Sequence, residues 1–211
     1  MIGLYKLYLF DFDGTLADTN RIVDMSIITA VKRCLNKDIT KTQILPILGM
    51  IVEEQMAYFS KEKTQELVKC YKEYYRNNQD RMTSLFPGVV ETVSQLKNRG
   101  SKLAIVSSKS RNGIDHGLNM FNMTGMFDII ISANDVQFSK PHPQPVLKAL
   151  EQAAVKPEEA VMIGDSPHDI LSGKGAGVKT AVVSWTEFPM DQIKKLKPDF
   201  IIDRLEEVLD L

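Results

Sequence analysis

Residues 4 to 10 form an almost unbroken apolar run (Leu4, Tyr5, Leu7, Tyr8, Leu9, Phe10), and two acids, Asp11 and Asp13, follow at once. A strand apolar at successive positions is buried on both faces, which calls for a parallel sheet with helices on either side. Side chains alternate along an extended chain, so these acids would diverge. Gly14 lets the backbone bend so that both converge on one point, a geometry that suits a cation and a phosphate. A calcium loop needs a third ligand before its glycine and an acid at its end, and here Gly14 follows Asp13 directly. A solvated acidic turn is the plain alternative. The buried strand before it and Gly14-Thr15-Leu16 after it set this stretch apart.

Beyond this strand, Asp18 or Thr19 can cap a helix with apolar positions Val23, Ile27, Ala30, Val31, Cys34 and Leu35. Pro46 and Gly49 interrupt helical text, which resumes at Ile51 to Phe59 and Lys61 to Asp80. No strand-like run occurs between about residues 18 and 85, so a small helical bundle is predicted there. From Leu85-Phe86-Pro87-Gly88 the pattern changes. Pro87 suits the first turn of a helix through Val89, Val93 and Leu96, ending at Gly100.

Strand and helix then alternate: Leu103 to Val106, Ser110 to Phe121, Phe127 to Ile131, and a helix opened by Pro145 carrying Val146, Leu147, Leu150 and Ala154. Lys140-Pro141-His142-Pro143 reads as a rigid extended loop. Ala160 to Ile163, Pro167 to Lys174, Thr180 to Val183 and Phe200 to Ile202 complete the series. The expected fold is α/β, a doubly wound, mostly parallel sheet with a helical bundle inserted after the first strand. Its core is residues 1–17 plus 86–211 and its insert 18–85. Such sheets bind ligands at the carboxyl ends of their strands. Asp11/Asp13, Ser107/Ser108 and Asp165/Asp169 fall at three of those ends.

The chain has 211 residues, with 26 basic and 27 acidic side chains. That balance gives no reason to expect a nucleic-acid or anionic-membrane partner. No stretch reaches the ~20 apolar residues of a membrane helix, and Lys6 and Asp11 spoil the first run as a signal peptide. A cytoplasmic protein is expected. Cys34 and Cys70 lack a CxxC partner and read as free thiols. His116, His142 and His168 show no metal-ligand spacing, and surface or helix-end roles are expected for them. The tyrosines Tyr71, Tyr74 and Tyr75 read as filling the core of the insert.

Taken together, DFDGTL at Asp11, VSS ending at Ser108, Lys140 in KPHPQP, and GDSPHD at Gly164 resemble the four motifs of the haloacid dehalogenase superfamily of phosphohydrolases, in order and across the whole chain. The helical insert looks like the alpha-helical cap of the phosphoglycolate phosphatase and phosphomutase branch. Trp185 and KPDFIID near the end are most similar to phosphoglycolate phosphatases and a related bacterial pyrophosphatase. The resemblance implies an Mg2+-dependent phosphatase of a small phosphorylated metabolite.

In that family pattern Asp11 is the nucleophile that forms an aspartyl phosphate, and Asp13 is the acid and then the base. Mg2+ is held by Asp11, Asp165 and the backbone carbonyl of Asp13, and Lys140 adds a further positive charge. Ser107 and the Ser108 backbone N–H hold phosphate oxygens. Thr15 and Asp169 support the metal from behind. Ser166-Pro167-His168-Asp169 fits a helix start as well, so Asp169 can cap a helix, order a metal-bound water, or both.

Gly49 and Met50, in the loop at Ile47 to Ile51, are the candidate specificity residues. Relatives often carry a proline two after that glycine, where this chain has Ile51. Phosphoglycolate, pyrophosphate, a nucleoside monophosphate and a sugar phosphate all stay open as substrates.

Three rivals are weighed. A β-phosphoglucomutase-like phosphosugar mutase shares the core motifs, but the compared mutases have a histidine at the position of Val23 and a glutamate at that of Gly164. Dehalogenases lack the second aspartate, Asp13. A receiver-type phosphoprotein needs neither that aspartate nor a helical cap. The sequence sets no oligomeric state.

Overall fold

The computed structural model describes residues 5–211, so Leu4 of the opening run lies outside the described residues. Strand β1 (Leu7–Phe10) is fully buried. Alternation sends Tyr8 and Phe10 into one apolar layer with Val93, Leu103 and Ile163, and Leu7 and Leu9 into the opposite layer with Val146 and Leu150. Each layer loses its centre if β1 is truncated; Leu9→Ala should cost about 2–5 kcal/mol.

The chain then turns through Asp11 to Leu16 into a two-residue strand, β2 (Ala17–Asp18), and four helices follow: α1 (Asn20–Leu35), α2 (Lys41–Ile44), α3 (Val52–Phe59) and α4 (Thr64–Met82). A second short strand, β3 (Ser84–Leu85), returns antiparallel to β2. This pair corrects the expectation of no strand between about 18 and 85. Two residues are too few to leave a period, and the pairing comes from the two chain crossings lying side by side. Ile27, Ala30 and Val31 of α1 pack on Leu67, Val68 and Tyr71 of α4. The Cys34 and Cys70 sulfurs are 3.1 Å apart between these helices, both as free thiols.

Helices and strands alternate thereafter: α5 (Val89–Asn98), β4 (Lys102–Val106), α6 (Arg111–Met120), β5 (Ile129–Ile131), α7 (Gln144–Ala153), β6 (Ala160–Gly164), α8 (Pro167–Gly175), β7 (Lys179–Val183), α9 (Met190–Lys195) and β8 (Phe200–Ile202). The six-stranded sheet has the order β5-β4-β1-β6-β7-β8, with every neighbouring pair parallel. The doubly wound expectation therefore holds.

Local expectations differ in four places. Pro87 precedes α5, because Gly88 takes the N-cap position with φ 77°. On α7 the buried face is Val146, Ala149, Leu150 and Ala153, whereas Leu147 is exposed and Ala154 lies past the helix end with φ 52°. The Lys140 to Pro143 segment turns rather than extends: the His142 N–H donates to the Ser139 carbonyl at 3.0 Å, and the Lys140–Pro141 peptide is cis. Helix α9 was not foreseen; its Ile193, with Phe188, Ile170 and Val182, continues the apolar cluster of the insert into the sheet. Among the described residues no helix is long and apolar enough to cross a membrane.

Candidate active site

From β1 the chain steps to β4 and β5 on one side, then to β6, β7 and β8 on the other. The winding reverses at β1, so the loops after β1, β4 and β6 open around one crevice, the usual ligand position in such sheets. All three acidic or hydroxyl clusters read from the sequence meet there.

The loop after β1 is a tight turn. The Leu16 and Ala17 N–H groups donate to the Phe12 carbonyl at 3.1 and 2.9 Å, and the Gly14 N–H to the Ala17 carbonyl at 2.8 Å. Gly14 has φ +77°, and a Cβ there would lie 2.5 Å from Asp165 Oδ2, so both conformation and close approach demand glycine. The segment after β7 clamps both loops: the Trp185 indole donates to the Gly14 carbonyl at 3.1 Å, and the Thr186 hydroxyl to the Asp165 carbonyl at 2.5 Å. Buried Thr15 places its hydroxyl 3.4 Å from Asp165 Oδ1.

Asp11, Asp165 and Asp169 bring one carboxylate oxygen each within 4.8 Å of one another. Lys140, 3% exposed, donates to Asp169 Oδ1 at 2.5 Å and the Val106 carbonyl at 3.0 Å, and forms an ion pair with Asp11 Oδ2 at 2.9 Å. When all three carboxylates are ionised, the single ammonium leaves two negative charges uncompensated. Burial pushes the Asp11 carboxyl up to about 6; Lys140 and Ser107 oppose this and Asp169 adds to it. Asp165 is raised well above the usual range by burial, then by Asp169 and Asp11. Burial draws the Lys140 ammonium down, but the two aspartates beside it outweigh that and the net shift is upward.

Asp169 has both oxygens committed. While Oδ1 meets Lys140, Oδ2 accepts from the Ser166 N–H at 3.0 Å and hydroxyl at 2.7 Å, closing a capping box on α8. Gly164 makes room for this arrangement, since a Cβ there would lie 2.2 Å from Asp169 Cγ.

Asp13 stands apart from that cluster. Its carboxylate accepts from Lys109 Nζ at 2.8 and 3.1 Å, and Lys109 also donates to the Tyr75 hydroxyl of α4 at 2.6 Å. Its carboxylate thus lies outside the group of Asp11, Asp165 and Asp169, which corrects the expectation that Asp11 and Asp13 converge on one point: Lys109 draws the Asp13 side chain away. On the β4 loop the Ser107 N–H is held in the sheet by the Ile131 carbonyl at 2.9 Å, and the Ser107 hydroxyl accepts from the Lys109 N–H at 3.3 Å. The Ser108 hydroxyl is buried without a hydrogen-bond partner among the described residues.

The insert meets this crevice at Gly49, while its neighbour Met50 turns away from it. Gly49, with φ +82°, lies so close to α8 that a Cβ would come within 2.6 Å of His168 Nδ1. The Met50 side chain packs into the apolar cluster of the insert, and its carbonyl accepts from Gln55 at 3.0 Å. His168 is at a helix start as expected, but its Nδ1 is buried and unpartnered among the described residues rather than solvated. His116 meets Asp80 of α4 at 2.7 Å, and His142 accepts from the Gln144 N–H at 3.1 Å.

Two residues escaped the sequence reading. Tyr75 stacks on Tyr71 at 5.9 Å, yet its hydroxyl reaches Lys109 instead of remaining in the core of the insert. Lys109 carried a usable signal: it is a charged residue two after Ser107, in a loop at a strand's carboxyl end.

The haloacid dehalogenase-like hydrolase family model matches residues 8–183. Pyrophosphatase PpaX of Bacillus cereus is 36% identical over 203 residues, which cover 96% of this chain and 94% of that protein. Among solved structures, a haloacid dehalogenase-like hydrolase from Bacteroides fragilis superposes with a TM-score of 0.89 at 30% identity, covering 97% of this chain and 99% of its own. One from Lactobacillus plantarum, named as a phosphoglycolate phosphatase, superposes with a TM-score of 0.88 at 25% identity over 99% of each chain. With the family model spanning most of its length and the crevice built from all four motif segments, the chain belongs to the haloacid dehalogenase-like hydrolases.

Proposed function

We propose that this protein is an Mg2+-dependent phosphatase that cleaves a small phosphorylated metabolite, a phosphoglycolate-like phosphomonoester or pyrophosphate, through an aspartyl phosphate on Asp11. The observation that carries the reading is the separation of two acids from one loop. Asp11 sits with Lys140 in a buried charged cluster, while Asp13 lies outside it on Lys109. The two acids therefore occupy different places, Asp11 in the cluster that would hold cation and phosphate and Asp13 beside it, which matches the separate roles of nucleophile and proton carrier.

An Asp11 oxygen attacks phosphorus and the bond to the leaving oxygen breaks, with the Asp13 proton going to that oxygen. Asp13 then takes a proton from water, whose oxygen displaces Asp11 and frees inorganic phosphate. Lys140 neutralises the nucleophile and the phosphoryl oxygens, and Ser107 with the Ser108 N–H and hydroxyl donates to those oxygens as charge spreads over them. The two uncompensated charges and an all-oxygen donor set fit a hard divalent cation. Asp11, Asp165 and the Asp13 backbone carbonyl would hold Mg2+, which there lowers the repulsion between nucleophile and phosphate dianion. Asp169 stands behind as the partner of Lys140, and Thr15 supports Asp165.

Residues 18–85 act as a cap over a core of 1–17 plus 86–211, hinged at Ala17-Asp18 and Leu85 to Gly88. The β2–β3 pair, which ties the two crossings together, supports this. So do polar contacts across the seam: Lys109 to Tyr75, and Lys41 to Glu187 at 2.6 Å. Gly49 forms the face nearest α8. Free thiols at Cys34 and Cys70 accord with a cytoplasmic setting. Against a mutase, Val23 is half-buried in the apolar cluster, and a glutamate at 164 would need the space of Asp169.

The test is phosphate release from phosphoglycolate, pyrophosphate, nucleotides and sugar phosphates with Mg2+, wild type beside Asp11→Asn. Release by wild type alone is expected, and it ranks the substrates. Silence from folded, metal-loaded wild type, or an active Asp11→Asn, would overturn the reading.

A further inference from the structure

Lys109 is more than a partner for Asp13. Its side chain is 11% exposed and its Nζ lies over the Tyr75 ring, 4.6 Å from the centroid. Asp13 and the Tyr75 hydroxyl take two of its N–H directions; the third has no acceptor among the described residues. Tyr75 accepts in that bond, so its own O–H is free to donate outward. A core cation and an insert hydroxyl therefore stand together, within hydrogen-bond reach of the acid that serves the leaving oxygen. Lys140 is held among Asp11, Asp169 and Val106, on the side of the nucleophile rather than that of Asp13.

We propose that Lys109 Nζ and the Tyr75 hydroxyl form an anion subsite for the leaving group, selecting substrates whose leaving group bears a phosphate or carboxylate close to the scissile oxygen. This rests on the phosphatase reading and narrows its substrate class. A cation here also favours such a leaving group as negative charge builds on it, which a neutral alcohol does not repay. The upward shift of the Lys109 ammonium, where Asp13 and Tyr75 outweigh the burial that opposes them, keeps it charged throughout. The subsite is complete only when Tyr75 of α4 lies against the loop between β4 and α6, so an anionic leaving group also favours closure of the insert.

The experiment compares kcat/KM on pyrophosphate, phosphoglycolate and phenyl phosphate, whose phenol leaves neutral, for wild type, Lys109→Met, Lys109→Arg and Tyr75→Phe. Lys109→Met is expected to lower the ratio of pyrophosphate to phenyl phosphate by about a hundredfold, the size of a lost hydrogen bond to a charged group. Lys109→Arg should recover part of that ratio. Tyr75→Phe, which loses only a hydroxyl, should lower it several-fold and carries the comparison if Lys109→Met does not fold. Equal losses on all three substrates would overturn the subsite and leave the phosphatase reading standing. A wild type that releases phosphate from none of them would overturn both.

Discussion

Lys140 Nζ lies 2.9 Å from Asp11 Oδ2, with the two side chains only 2% and 9% exposed. A buried ion pair gains little overall, but breaking it from one side strands a charge. Lys140→Met leaves Asp11 and Asp169 facing each other without their shared cation. We expect a stability loss of about 3 kcal/mol by urea unfolding, and phosphate release lowered by at least about a hundredfold. Near wild-type turnover would remove Lys140 from the chemistry.

Protons and metal should compete at Asp11. Its carboxyl is raised from 3.8 to about 6 by burial, in protein without metal. The fold thus binds a proton that the unfolded chain has released, and metal-free stability falls as pH rises through that window. Mg2+ requires the ionised form, so the rise in Tm on adding Mg2+ should be small at pH 5 and larger at pH 7.5. Thermal unfolding with and without Mg2+ measures both, and an equal rise at the two values would refute the competition.

At Gly164 a single methyl should be costly. An added Cβ would lie 2.2 Å from Asp169 Cγ, forcing the α8 capping box and the Lys140 contact to shift. Gly164→Ala is expected to destabilise by about 2–3 kcal/mol. Because the two positions are in contact, adding Asp169→Gly should cost less than the sum of the single changes. Additive losses in urea unfolding would show that the crowding lies elsewhere.

If the β2–β3 pair is the hinge, hydrogen exchange should respond across it. Binding of a phosphate analogue with Mg2+ is expected to slow exchange at the Tyr75 and Lys109 seam and in Ser84-Leu85, where backbone pairing is only two residues long. Unchanged exchange at the seam in free and bound protein would argue for an insert that does not move.

Most of the framework was legible before any coordinates. Strand β1 announced itself by being apolar on both faces, and the alternation after residue 85 fixed the class of sheet. What was missed is short or local: the β2–β3 pair has no period, α9 is six residues long, and the Lys140 loop bends back on itself. The positions of Asp11, Asp13 and Asp165 just past the ends of β1 and β6 were readable because an acid at the end of a buried strand is costly and so conspicuous. Lys109 and Tyr75 were not, since a lysine in a loop and a tyrosine on a charged helix are ordinary until an element far off in sequence lies against them.

By itself the sequence determined which residues end strands and must therefore gather along one edge of a parallel sheet. Periodicity and turn chemistry act over a few residues, and they are enough for that. Only the tertiary structure decided the partners. It gave Lys140 to Asp11 and Asp169, closed Asp169 onto Ser166, and set Lys109 between Asp13 and Tyr75. Those choices are made by distance in three dimensions, where β1 lies between β4 and β6 and Tyr75 of α4 reaches the loop after β4, and no local pattern in the chain carries that information.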